Sequence, residues 1–251
     1  MIARPSTSAS LSPRLNRRRI LRAISLSALL AVVALAALFR LSPTVRLGGI
    51  RVALWLEARI QPAHLTGLQR TLEPWLPART VILAGDSLIG MLPSRLVDAR
   101  AVNFGIGAAT VETIRAQFHG LRTLPSARAL VLLVGTNDVV HRPLAAAEAD
   151  LRALLAALPA SLPVLLCTVP PIDPAAQHDR PLATIAQFNR RWAACAAERP
   201  HTRLVNVASV LADATGRLRP TLHLGDGLHL NAEGHRLLGA LLQQTLAEFV
   251  P

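Results

Sequence analysis

The sequence predicts an α/β fold: a three-layer α/β/α sandwich on a five-stranded parallel sheet, preceded by one N-terminal transmembrane helix. Two observations predict it. From Thr80 onward, short apolar runs alternate with helical segments, the pattern of parallel strands joined by crossover helices. Ahead of that pattern stand 17 uncharged residues, Ala23 to Phe39, dominated by Ala, Leu and Val. As a helix they would span about 26 Å against a hydrocarbon core of about 30 Å.

Residues 1–19 are rich in Ser, Pro and Arg, offer nothing to pack, and read as a disordered cytoplasmic N-terminus. Residues 20–40 read as a membrane anchor, with Arg22 and Arg40 placed to snorkel to the two interfaces. Arg14, Arg17, Arg18, Arg19 and Arg22 outweigh Arg40, Arg46 and Arg51, so the N-terminus stays inside and the rest is exported. The expectation is a single-pass inner-membrane protein with its main domain in the periplasm. A cleaved signal peptide is the alternative, since Ala34-Leu35-Ala36 satisfies the small-x-small rule. Residues 41–79 read as a membrane-proximal helical linker broken at Gly48-Gly49, Pro62 and Pro74. Its apolar positions, such as Ile50, Leu54, Leu65 and Trp75, could meet the bilayer or the domain edge.

Residues 80–251 form the main domain. Strands are predicted at 80–84, 101–104, 129–134, 163–168 and 202–207, and helices at 88–98, 110–120, 144–158, 183–198 and 232–249. The net charge of +12 does not point to nucleic acid. All 27 basic residues are arginine, ten of them in residues 1–60 against one acid, so residues 61–251 are nearly balanced, with seventeen Arg against fourteen acids. Cys167 and Cys195 fall on separate elements and read as buried, inert thiols.

Carboxyl ends of parallel strands share one edge of the sheet, and ligands bind there. The first strand runs into Gly85-Asp86-Ser87-Leu88 and delivers a serine to that edge. A hydroxyl becomes a nucleophile only with a base, an orienting carboxylate and oxyanion donors around it. The second strand ends in Asn103-Phe104-Gly105-Ile106-Gly107-Ala108-Ala109-Thr110, a small-residue turn that can present backbone N–H groups. The third ends in Gly135-Thr136-Asn137-Asp138, where the Asn137 amide can serve as a donor or, alternatively, cap the following helix. Before the last helix, Asp226-Gly227-Leu228-His229 sets a carboxylate three residues ahead of an imidazole, close enough to fix its tautomer. His223, Asp226 and His229 also have a ligand-like spacing, but no third imidazole or thiolate pattern supports a metal site.

In order and spacing these four blocks resemble those of the SGNH hydrolase superfamily, the GDSL esterases and lipases, over about residues 80–249. The resemblance implies a flavodoxin-like SGNH hydrolase fold. It also implies a Ser-His-Asp triad of Ser87 as nucleophile, His229 as base and then acid, and Asp226 as the residue orienting His229. The oxyanion hole it implies comprises the Ser87 N–H, an N–H from Gly107 or Ala108, and the Asn137 side chain. Ala108 stands where the family carries its donor glycine, which would cost about 1 kcal/mol if that position requires a positive φ. The Gly-x-Ser-x-Gly elbow of α/β-hydrolases is absent. The expectation is a serine esterase needing no cofactor and no metal, acting on small-molecule, glycan or lipid esters, with O-acetyl groups of envelope glycans as one class. An acyltransferase with the same triad and a non-catalytic binding module are the alternatives.

Overall fold

The computed structural model describes residues 42–60 and 65–250, with the side chains of 55–60 left aside. The anchor predicted at 20–40 and the segment 1–19 lie outside the described residues. No described helix is long and apolar enough to cross a membrane.

Five strands, β1 (Val81–Gly85), β2 (Ala101–Asn103), β3 (Ala129–Leu133), β4 (Val164–Cys167) and β5 (Thr202–Val205), form one all-parallel sheet in the order β2-β1-β3-β4-β5. Each lies within or one residue beside its predicted run. The order reverses between β1 and β3, and in open α/β sheets that reversal opens a crevice at the strand carboxyl ends. Side chains alternate between the faces. Val81, Leu83, Val131, Leu133, Leu165 and Cys167 share a buried cluster with Leu238, Leu242 and Leu246 of helix α9 (Ala232–Phe249). The other face is covered by α4 (Val111–Phe118), α6 (Leu144–Ala157) and α7 (Leu182–Glu198), with α6 packed against both of the others.

Shorter helices join these layers: α3 (Ser87–Gly90), α5 (Asp138–His141) and α8 (Ala208–Leu211). The single helix predicted over 88–98 is not formed. α3 stops at Gly90, because Pro93 disfavours helical geometry at Leu92, and only a 3-10 turn, Ser94–Leu96, follows.

Ahead of the sheet come α1 (Pro43–Ile60) and α2 (Leu65–Leu72). The break predicted at Gly48-Gly49 does not occur, since glycine weakens a helix by only about 1 kcal/mol per residue and packing outweighs it. The chain divides at Arg46, and the compact unit that begins at Leu47 includes the rest of α1 and α2. Within it Ile50, Leu54 and Leu65 are buried, while Trp75 is exposed. Arg51 Nε donates to Ala101 O at 2.7 Å and its Nη2 to Ala99 O at 2.8 Å, fastening α1 to the start of β2.

Candidate active site

β1 ends in Gly85, where a Cβ would lie 1.9 Å from Leu133 O, so only glycine lets the chain pass this close to β3. Asp86 follows, fully buried, and its Oδ1 caps α3 by accepting from the Leu88 N–H at 2.9 Å. Ser87 is thereby the first residue of a short helix at the β1/β3 crevice. Burial pushes the Asp86 carboxyl up to about 6, against the hydrogen bond from Leu88 and a nearby Thr136 hydroxyl. Asp86 Oδ2 and Thr136 Oγ1 are both buried, and neither makes a well-formed hydrogen bond among the described residues.

Ser87 Oγ lies 2.9 Å from His229 Nε2, and His229 Nδ1 lies 2.6 Å from Asp226 Oδ2. The Asp226 carboxyl works against partial burial, yet hydrogen bonds from the His229 ring and from the Leu228 and His229 N–H groups hold it below the usual range. An ionised carboxylate only accepts, so His229 Nδ1 carries the proton and Nε2 is left to accept from the Ser87 hydroxyl. The side chains of His229 and Asp226 are 30% and 45% exposed, so the arrangement opens to solvent.

Two further predicted blocks reach the same edge. In the turn after β2, the N–H groups of Gly107 and Ala108 donate to no described residue, nor does that of Ser87. Ala108 is left-handed at φ +58°, the conformation that favours glycine. Gly107 has no positive φ and open space where a Cβ would stand. After β3, Asn137 does not cap α5 through its side chain. Its Nδ2 donates to Ala109 O at 2.9 Å, and its Oδ1 faces Arg180 Nη2 at 3.5 Å. The amide orientation is therefore set from both sides, with one of its two N–H bonds still available.

Sequence reading missed the residues that hold these blocks together. Asp138 Oδ2 accepts from the Val111 N–H at 3.0 Å, so the third block caps the helix that follows the second, and Arg142 pairs with the same carboxylate. Arg180, 7% exposed, donates from Nε to Thr136 O at 3.0 Å. Asn103 Oδ1 accepts from the Gly105 N–H, and its Nδ2 donates to Leu92 O and Ile89 O. The Val111, Thr136, Leu92 and Ile89 partners are backbone groups 11 or more residues away, which leave no mark in a sequence pattern. The Asn-Asp pair was the one visible signal. Among the described residues no group of three or more His, Cys, Asp or Glu side chains is placed to hold a metal ion.

The sequence pattern of the GDSL-like lipase/acylhydrolase family matches residues 78–237, a stretch holding every residue of this site. No curated protein matches the chain. Solved structures that share the fold include three bacterial proteins. One is a GDSL-like lipase from Bacteroides thetaiotaomicron, at 20% identity and TM-score 0.62, covering 73% of this chain and 97% of that one. Another is a lipase/acylhydrolase from Enterococcus faecalis, at 19% identity and TM-score 0.59, covering 69% and 97%. A third is a catalytic mutant of an acetylxylan esterase from Geobacillus stearothermophilus, at 20% identity and TM-score 0.56, covering 69% and 96%.

Proposed function

The chain belongs to the GDSL-like lipase/acylhydrolase family and is an ester-cleaving hydrolase; on that premise we propose that it works through a Ser87-His229-Asp226 triad and an acyl-enzyme. The observation that carries this reading is the continuous pair of hydrogen bonds from Ser87 Oγ through the imidazole to Asp226. His229 Nε2 takes the Ser87 proton as Oγ attacks the ester carbonyl. The tetrahedral oxyanion is held by the Ser87 N–H, an N–H of Gly107 or Ala108, and Asn137 Nδ2. His229 then gives the proton to the departing alkoxide, leaving acyl-Ser87. Water then attacks the acyl carbon while losing a proton to Nε2, the acyl–Oγ bond breaks, and His229 returns that proton to Ser87 Oγ as the acid leaves. Asp226 keeps the proton on Nδ1 throughout and stabilises the transient imidazolium.

The half-buried His229 and the exposed Asp226 support an open site for small acyl groups on bulky alcohols. O-acetyl esters of glycans fit that description, and one structural neighbour is an acetylxylan esterase. The apolar stretch 23–39 supports a membrane-tethered, periplasmic enzyme meeting envelope glycans or lipids. The test compares the full chain in detergent with Ser87→Ala on p-nitrophenyl esters of rising acyl length. Turnover should fall by about three orders of magnitude or more in the variant and be greatest for acetate. A variant as active as the parent would remove Ser87 from the mechanism. Added alcohol that diverts acyl groups from water would reveal a transferase.

A further inference from the structure

A second imidazole-carboxylate pair lies six residues before His229. His223 Nε2 is 3.2 Å from Asp173 Oδ2, and the His223 side chain is only 6% exposed. Its Nδ1 is approached by two backbone N–H groups, Gly225 at 3.0 Å and Gly227 at 3.1 Å. Two donors converging on one ring nitrogen make that nitrogen an acceptor, so the proton sits on Nε2 and is donated to Asp173. This tautomer is the reverse of that at His229.

The two glycines are the immediate neighbours of Asp226, one on each side. Both are left-handed, at φ +98° and +70°, where glycine has no strong preference of its own. The backbone around Asp226 therefore takes its conformation from what binds it. Asp173 adds a second tie, since its N–H donates to Gly227 O at 2.9 Å and a Cβ on Gly227 would lie 2.7 Å from Asp173 O.

We propose that His223 is a positioning residue for the triad: by accepting from the N–H groups of Gly225 and Gly227 it fixes the Leu224–Gly225 and Asp226–Gly227 peptides that bracket Asp226 and so holds that carboxylate against His229 Nδ1. The inference rests on the triad reading above. The ring acts through Asp226; its hydrogen-bond partners are Asp173, Gly225 and Gly227, and Ser87 is not among them.

The test measures kcat and KM for p-nitrophenyl acetate with the full chain and with His223→Asn, His223→Gln and His223→Leu, alongside the melting temperature of each. Asparagine places an oxygen where Nδ1 stands and can still accept from the glycines. Glutamine reaches toward Asp173 but loses that acceptor, and leucine loses both. His223→Asn should retain kcat within about threefold, while Gln and Leu lower it about tenfold to a hundredfold with little change in KM. In an Asp226→Ala background the loss on adding His223→Leu should shrink to under about threefold. Equal losses for Asn and Gln, or an undiminished Leu effect without Asp226, would overturn the proposal. If His223→Leu fails to fold, the Asn and Gln pair still decides. Full activity in all three variants while Ser87→Ala is inactive would remove His223 and leave the triad standing, whereas an active Ser87→Ala would remove the triad itself.

Discussion

Asp86, next to the nucleophile, and Ala108, in the turn after β2, hold a charge state and a conformation that cost stability. Ala108 holds a left-handed backbone that an L side chain resists by about 1 kcal/mol. Ala108→Gly should therefore raise stability by about 1 kcal/mol, read as a shifted urea midpoint at unchanged slope; a loss would show that the strain is absent. Asp86 has the opposite kind of penalty, a carboxyl raised by burial from an ordinary 3.8 to about 6. Folding takes up a proton between those values. The stability linked to Asp86 is fully present below about pH 4 and lost as pH rises through about 6, a swing of about 3 kcal/mol. Asp86→Asn keeps an acceptor for Leu88 and adds a donor toward Thr136, so its melting temperature should be higher at pH 7. The decline between pH 4 and 6 should flatten, and an unchanged pH profile would contradict the assignment. At this scale the sequence showed which residues meet at the sheet edge, because each follows a strand or precedes a helix. It did not show the φ of Ala108 or the burial of Asp86, which depend on how closely β1, β3 and the turn after β2 approach one another.

Elements were legible where one physical signal decided them. The strands β1, β3 and β4 are runs of apolar residues buried on both faces, with no competing signal to interrupt them. The helix expected over 88–98 is not formed because Pro93 interrupts the apolar spacing that predicts it. The Gly48-Gly49 break failed in the other direction, the buried Leu47 and Ile50 holding α1 through it. Asp138 shows how one side chain binds two elements. It follows β3 in sequence, yet its carboxylate caps α4 across 27 residues and pairs with Arg142 at 3.3 Å. Asp138→Ala would leave the Val111 N–H buried without its acceptor. Urea denaturation should show a loss of about 2 to 3 kcal/mol, with Arg142→Met costing less because Val111 keeps its partner. Equal losses from the two substitutions would place the energy in the ion pair instead of the cap.

The whole molecule is larger than its family pattern. The match begins at residue 78, but the compact unit begins at Leu47. Leu47, Ile50, Leu54 and Leu65 are buried, and each such side chain contributes about 1.5 to 3 kcal/mol of transfer free energy. Polar ties reinforce them. Arg51 grips the carbonyls of Ala99 and Ala101, Gln69 accepts from Gln117 at 2.5 Å, and Glu73 accepts from the Thr123 hydroxyl at 2.6 Å. Losing this segment would strip Gln117, which also donates to Phe104 O ahead of the Gly107 turn, of its partner in α2. A chain starting at Thr80 should therefore be less stable than one starting at Ser42 by about 5 kcal/mol or more, a large part of the margin of an ordinary domain. Its urea midpoint would fall accordingly, and activity would fall with it as the turn after β2 loosens. Equal midpoints for the two chains would mean that 42–79 only links the domain to what precedes it, and α1 and α2 would then be free to meet a membrane surface instead.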